Sequence, residues 1–339
     1  MIHKVLHDKI SGMNFETSKF IHYSVQSAVD HSKPGDVIRI QNGCYEEKVR
    51  ITTSNLTLIG ESKESCIVSY GDYALKNHED GNKFGTFRTY TFLVLAEDVV
   101  VQNITIENTS GDGREVGQAI AVYAEGDRLQ FKNCDFIGCQ DTLFTGPLPP
   151  KPMIPGSFVG PTYQREYKQC KQYYEDCMII GDVDFVFGSA IALFNHCHLV
   201  ARNRNSDING YVTAPSTWQG EAYGYVFVDC KFTGEEGIDA GTIFLGRPWR
   251  PYGQAMFIGC NYDESFHHKH FDNWGKEENE TTARFSEYGC SNENGIIEEL
   301  NTSKDKSPFI VIRMERKKID FLYPWHMEML APEHYNVRK

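Results

Sequence analysis

The sequence predicts an all-β chain wound as a right-handed parallel β-helix, with a short N-terminal capping helix and an irregular C-terminal tail. Three observations lead there. A six-residue phrase recurs around five cysteines, the intervals between its copies vary while the phrase does not, and helical periodicity is weak over most of the 339 residues. The copies are Phe131-Lys-Asn-Cys134-Asp-Phe136, Tyr174-Glu-Asp-Cys177-Met-Ile179, Phe194-Asn-His-Cys197-His-Leu199, Phe227-Val-Asp-Cys230-Lys-Phe232 and Phe257-Ile-Gly-Cys260-Asn-Tyr262. Their cysteines lie 43, 20, 33 and 30 residues apart. A constant strand joined by loops of changing length is what a solenoid of stacked coils requires. Alternation after each cysteine gives the period of two that strands need. Stacking sets each small, apolar cysteine over the previous one in the core. Val101-Gln-Asn-Ile104-Thr-Ile106 fits with isoleucine in the cysteine place.

The ends differ from the middle. Thr17 to Ser32 carries Phe20, Ile21, Val25, Ala28 and Val29 before Lys33-Pro34-Gly35, which predicts an amphipathic helix with a firm stop. Such a helix would cover the open end of the first coil. Val37 to Gln41 reads as a strand and Asn42-Gly43 as a turn. Six prolines between 147 and 161 exclude a central strand there and predict a long surface loop. Beyond about residue 300 the phrase is lost. The expected division is therefore a β-helical catalytic domain over 1–300 and a tail over 301–339, packed on the helix or beside it.

Composition sets the bounds. The chain is 40% hydrophobic and 24% charged, as in an ordinary soluble protein able to bury a large core. Its net charge is −12 with no basic stripe, which argues against a nucleic-acid partner. No apolar run is long enough to span a membrane. The first 30 residues hold no signal-peptide core, so the expected location is cytoplasmic, or secreted if a leader was removed. By the same reasoning the ten cysteines are expected to be reduced. None has metal-binding spacing, and His267-His268-Lys269-His270 reads as a solvated loop rather than a metal site. No cofactor and no metal are expected.

Chemistry concentrates in a few segments: Gly117-Gln118-Ala119, Gly138-Cys139-Gln140-Asp141-Thr142, Gly181-Asp182-Val183-Asp184-Phe185-Val186-Phe187-Gly188 and Gly246-Arg247-Pro248-Trp249. Strand alternation would send Asp182 and Asp184 to one face, with Val183 and Phe185 on the other. Asp141 follows Cys134 by seven residues and Asp184 follows Cys177 by seven, so both acids hold equivalent places on successive coils. Coils stack about 4.8 Å apart. Two carboxyls that close cannot both ionise freely, and one keeps its proton. A nucleophile and an acid then arise from one residue type. Arg247 would hold the ionised member by charge-assisted hydrogen bonds. The side-chain amides of Gln118 and Gln140 are suited to donate to a developing oxyanion.

These motifs, in this order, resemble the pectin methylesterases, a family of carbohydrate esterases. The resemblance runs from about residue 15 to about 290 and takes in Gly210-Tyr211-Val212-Thr213-Ala214 and Glu287-Tyr288. It implies that Asp184 attacks the C6 carbonyl of a methylated galacturonate. It implies that Asp141 protonates the leaving methanol and then activates water. Gln118 and Gln140 match the oxyanion-stabilising amides, and Arg247 the arginine that holds the nucleophile. Trp249, Thr86 and Phe187 match residues that contact substrate. The chain departs from the family pattern after Gly289, where the usual arginine, tryptophan and late Trp-x-Pro are missing.

The expected function is thus the removal of methyl esters from pectin or pectic oligosaccharides, with release of methanol, by a monomer. The implied partner is a methylated polygalacturonate or oligogalacturonide. A polyuronate lyase, a glycoside hydrolase or a non-catalytic binder of pectic oligosaccharides is the alternative on the same fold, since fold alone does not settle function. A lyase would favour a cluster of carboxylate ligands for calcium, and the sequence offers none.

Overall fold

Each copy of the phrase is a strand, a two-residue corner that ends on the cysteine, and a second strand. In Leu129–Lys132, Asn133-Cys134, Asp135–Ile137, the corner residue Asn133 has φ +49°. The same left-handed conformation recurs before every cysteine of the phrase, at Asp176, His196, Asp229 and Gly259, and before Ile104 at Asn103. Asn, Asp, His and Gly are the residues that tolerate it best. The residue before each cysteine is therefore the one that bends each coil.

The computed structural model describes residues 1–7, 20–153, 155–162, 166, 168–292, 295–296 and 312–314. Among these, the coils form three sheets of twelve, ten and seven strands. Neighbouring strands in each are parallel, apart from one short antiparallel pair, Ser291–Asn292 with Gly295–Ile296. The chain is a right-handed parallel β-helix.

The core follows from the phrase. Rings of Phe131, Tyr174, Phe194, Phe227 and Phe257 stack along the axis at 5.2, 4.6, 4.5 and 5.0 Å, with planes within 12°. Beside them runs a ladder of thiols. Cys177 donates to the carbonyl of Phe131, Cys197 to Tyr174, Cys230 to Phe194 and Cys260 to Phe227, at 3.4–3.5 Å. Cys290 adds a rung on Phe257, although Glu287 holds the aromatic place in that coil. All ten cysteines are free thiols.

The N-terminal helix is shorter than expected, Val25–His31. Ile21–His22 is instead a strand beside Ile2–Val5, which the sequence reading missed. Two devices start the helix at Val25. Ser24 accepts from the Ser27 amide, and the Glu47 carboxylate accepts from the Val25 and Gln26 amides at 2.7 and 2.9 Å. Val25, Ala28 and Val29 are buried against the first coil. Residues 17–19 of the expected helix lie outside the described residues.

Val37–Ile40 is a strand as expected, and the next strand, Gly43–Glu46, begins at the glycine of the expected turn. No described residue between Thr145 and Lys171 belongs to a strand. That segment is more than a surface loop, because Phe158 is buried within it. Past residue 300, Ile312–Met314 adds a parallel strand to the first sheet beside Arg284–Tyr288. The rest of 301–339 lies outside the described residues.

Candidate active site

The site forms where the second sheet hands the chain to the third. Asp141 has φ +66° and Asp184 φ +50°, so both occupy left-handed corners. Leu143 pairs with Val186 and Phe144 with Phe187, an offset that places Asp141 directly over Asp184. The Asp141 amide donates to the Val183 carbonyl at 3.1 Å and ties the two coils together.

The expected alternation fails at Val183–Gly188. Register with the next coil slips by one between Val183 and Val186, which marks a bulge. Phe185 and Val186 consequently both enter the core, and Phe187 returns to the outer face. Asp182 and Asp184 do not share a surface. Asp184 lines the pocket, while Asp182 is buried toward Arg204, whose Nε is 3.8 Å away. The left-handed turn at Asp184 aims its carboxylate outward without the alternation the sequence implied.

The pocket is about 370 Å³. Gln118, Gln140, Asp141, Asp184, Arg247, Thr86, Phe187 and Trp249 all line it. Four coils, those carrying Gln118, Gln140 with Asp141, Asp184 with Phe187, and Arg247 with Trp249, supply them together with the turn at Thr86–Arg88. Gln140 is wedged: a Cβ on Gly113 would meet its Cβ at 2.7 Å and its Oε1 at 2.8 Å. Only glycine lets the short helix Gly113–Val116 press against that amide. Phe187 and Trp249 meet at 5.8 Å, and Phe158 from the proline-rich loop closes on Trp249 at 6.0 Å.

Electrostatics separate the two acids. Arg247 Nε and one terminal nitrogen each donate to Asp184 at 2.8 Å, a bidentate fork. Burial raises the Asp184 carboxyl, and this fork opposes it. Asp141 has no such fork. Burial first, then the Asp184 charge, push it well above the ordinary carboxylate range. One acid is favoured as the anion and the other as the proton carrier.

Sequence reasoning missed several lining residues. Met153, Ser157 and Phe158 come from the proline-rich loop, and Trp274 from a segment with no motif. Arg250 also lines the pocket; it lies over Trp249 at 4.7 Å and donates to the Lys151 carbonyl. The histidine run, expected to be a solvated loop, is not one throughout. His267 stacks on Phe244 at 4.4 Å, and buried His270 contacts the Glu287 carboxylate at 2.9 Å. Among the described residues, no three His, Cys, Asp or Glu side chains converge as metal ligands.

Known proteins share this architecture. The family model described as Pectinesterase matches residues 11–147 and 162–300. "Pectinesterase 31" of Arabidopsis thaliana is 34% identical over 278 residues, covering 79% of this chain and 78% of its own. The solved structure of pectin methylesterase PemA from Erwinia chrysanthemi superposes with TM-score 0.73 at 26% identity, over 97% of this chain and 96% of that one. A pectin methylesterase in complex with a hexasaccharide matches with TM-score 0.73 at 27% identity, over the same shares.

Proposed function

The chain belongs to the pectinesterase family, and from that premise we propose how its pocket removes a methyl ester. The enzyme is a carboxylic ester hydrolase acting on the C6 methyl esters of galacturonate units in pectin, with release of methanol.

In the proposed mechanism Asp184, ionised and aimed by Arg247, attacks the C6 carbonyl. The carbonyl oxygen takes up negative charge, and the amides of Gln118 and Gln140 donate to it. Collapse breaks the C6–OCH₃ bond, and Asp141 gives its proton to the departing methoxide oxygen. An acyl-enzyme anhydride and methanol result. Asp141, now a carboxylate, takes a proton from water as the water attacks C6. Cleavage of the acyl bond returns Asp184 as the anion and leaves the C6 carboxylic acid, which loses its remaining proton to solvent as the free uronate. Thr86, Phe187 and Trp249 are proposed to hold the sugar, with aromatic faces toward the apolar side of the ring.

The observation that carries this reading is the asymmetry of the pair: a two-pronged arginine on Asp184 and none on Asp141. Methanol release from methylated oligogalacturonides, with and without Asp184→Ala, tests it. Release is expected from the parent protein and none from the variant. Undiminished turnover by the variant would overturn the assignment.

A further inference from the structure

Arg247 is gripped on both faces as well as at its tip. Its guanidinium carbon lies 3.7 Å from the centre of the Tyr211 ring and 3.8 Å from that of Trp274. A planar cation between two aromatic faces is attracted by both and is hindered from rolling or withdrawing. The fork on Asp184 needs that restraint, because two parallel hydrogen bonds at 2.8 Å tolerate little tilt.

The two rings arrive by different routes. Tyr211 sits on the third-sheet strand Gly210–Pro215, paired with Val183 on the coil that carries Asp184. Trp274 ends a segment hooked onto the same sheet two coils on. The Leu245 amide donates to the His270 carbonyl at 2.7 Å, and the Asp272 amide donates to the Gly246 carbonyl at 3.0 Å. Beneath, the His270 ring contacts both oxygens of the buried Glu287 carboxylate at 2.9 and 3.0 Å. At the tip, the Trp274 amide donates to Asp272 at 2.7 Å. The segment is thus braced at three points before it reaches Arg247.

We propose that Trp274, together with Tyr211, is a positioning residue for de-esterification: the rings clamp Arg247 so that it keeps Asp184 ionised and aligned. The proposal rests on the esterase reading above. The charged groups bearing on Asp184 are Arg247, Asp141 and Asp272. Only Arg247 favours the anion. A loosened Arg247 leaves burial and Asp272 less opposed, so Asp184 would hold its proton to higher pH.

The test compares pH profiles of kcat and kcat/KM for the parent, Trp274→Phe, Trp274→Ala and Tyr211→Ala on methylated oligogalacturonides. Thermal melting checks that each variant folds. Trp274→Ala is expected to lower kcat, to reduce kcat/KM by roughly 3- to 30-fold, and to move the acid limb to higher pH. Trp274→Phe keeps an aromatic face and should recover most of the loss. Tyr211→Ala should shift the limb in the same direction. A rise in KM alone, with kcat and the acid limb unmoved, would make Trp274 a plain wall of the pocket and overturn the proposal. An NMR titration of the Asp184 carboxyl carbon, assigned by its loss in Asp184→Asn, reads the same effect without turnover. An unchanged midpoint in folded Trp274→Ala overturns the clamp, whether or not the parent releases methanol. Failure of the parent to release methanol counts against the esterase reading alone.

Discussion

Two corners of the coil use one backbone device for different ends. Between the first and second sheets, a left-handed residue recurs from Asn103 to Gly289, coil after coil. Its side chain faces outward where there is one, and Asn133 donates to Asn103 at 2.8 Å along the stack. Between the second and third sheets the left-handed pair is Asp141 and Asp184, both buried. Non-glycine residues reach this conformation at a cost. At the first corner that cost is met by repetition and turns a coil. At the second it aims two carboxyls into one pocket. Regular recurrence marks the scaffold, and a local departure from it marks the chemistry.

Substitution at the second corner should give the largest effects. Asp184→Ala should lower kcat by about 10⁴-fold or more, the scale seen when a member of a catalytic unit is removed. Asp141→Asn, which cannot supply the proton, should cost roughly 10²–10⁴-fold in kcat. Gln140→Ala should cost about 10²–10³-fold. Melting temperatures for all three should stay near the parent's, and a collapse of the fold instead would erase the distinction between the corners.

The pH profile sharpens the contrast between the two acids. Asp184 must be ionised, so kcat/KM should fall as pH drops through its raised pKa, which places the acid limb above the ordinary aspartate value. Asp141 must carry a proton, so activity should fall again as pH rises through its own more strongly raised pKa. A profile flat across neutral and alkaline pH would contradict the protonated role of Asp141.

At the first corner the effects should be on stability and smaller. Asn133→Val forces a branched side chain into φ +49° and should cost about 1–2 kcal/mol in denaturant unfolding. Asn133→Gly should be close to neutral. Cys197→Ala leaves a small void in the thiol ladder and should cost about 1 kcal/mol, with methanol release unchanged. A large loss of activity in either scaffold variant would break the division of labour.

How much was legible follows the same line. The scaffold could be read because its code is local: an aromatic, a residue able to turn left-handed, and a cysteine, repeated. Asp141 and Asp184 could be paired because each follows its phrase cysteine by seven residues, and Gln118, Gln140 and Arg247 could be gathered because their short motifs resemble those of a known family. Asp182 was misjudged because alternation assumes an unbroken strand, and a bulge falls between Val183 and Val186. Trp274, Phe158 and Arg250 escaped because long-range packing places them, with no spacing rule to betray it. The strands at Ile2–Val5 and Ile21–His22 escaped because each is too short to show a period.

The thiol ladder bears on what holds the solenoid together. Its sulfurs are spent on carbonyl contacts inside the wall, and none is joined to another. A protein stapled by disulfides loses its staples in a glutathione-rich compartment. This one has none to lose, so dithiothreitol should leave its unfolding midpoint unmoved. The solenoid is held by packing and backbone hydrogen bonds rather than by covalent staples.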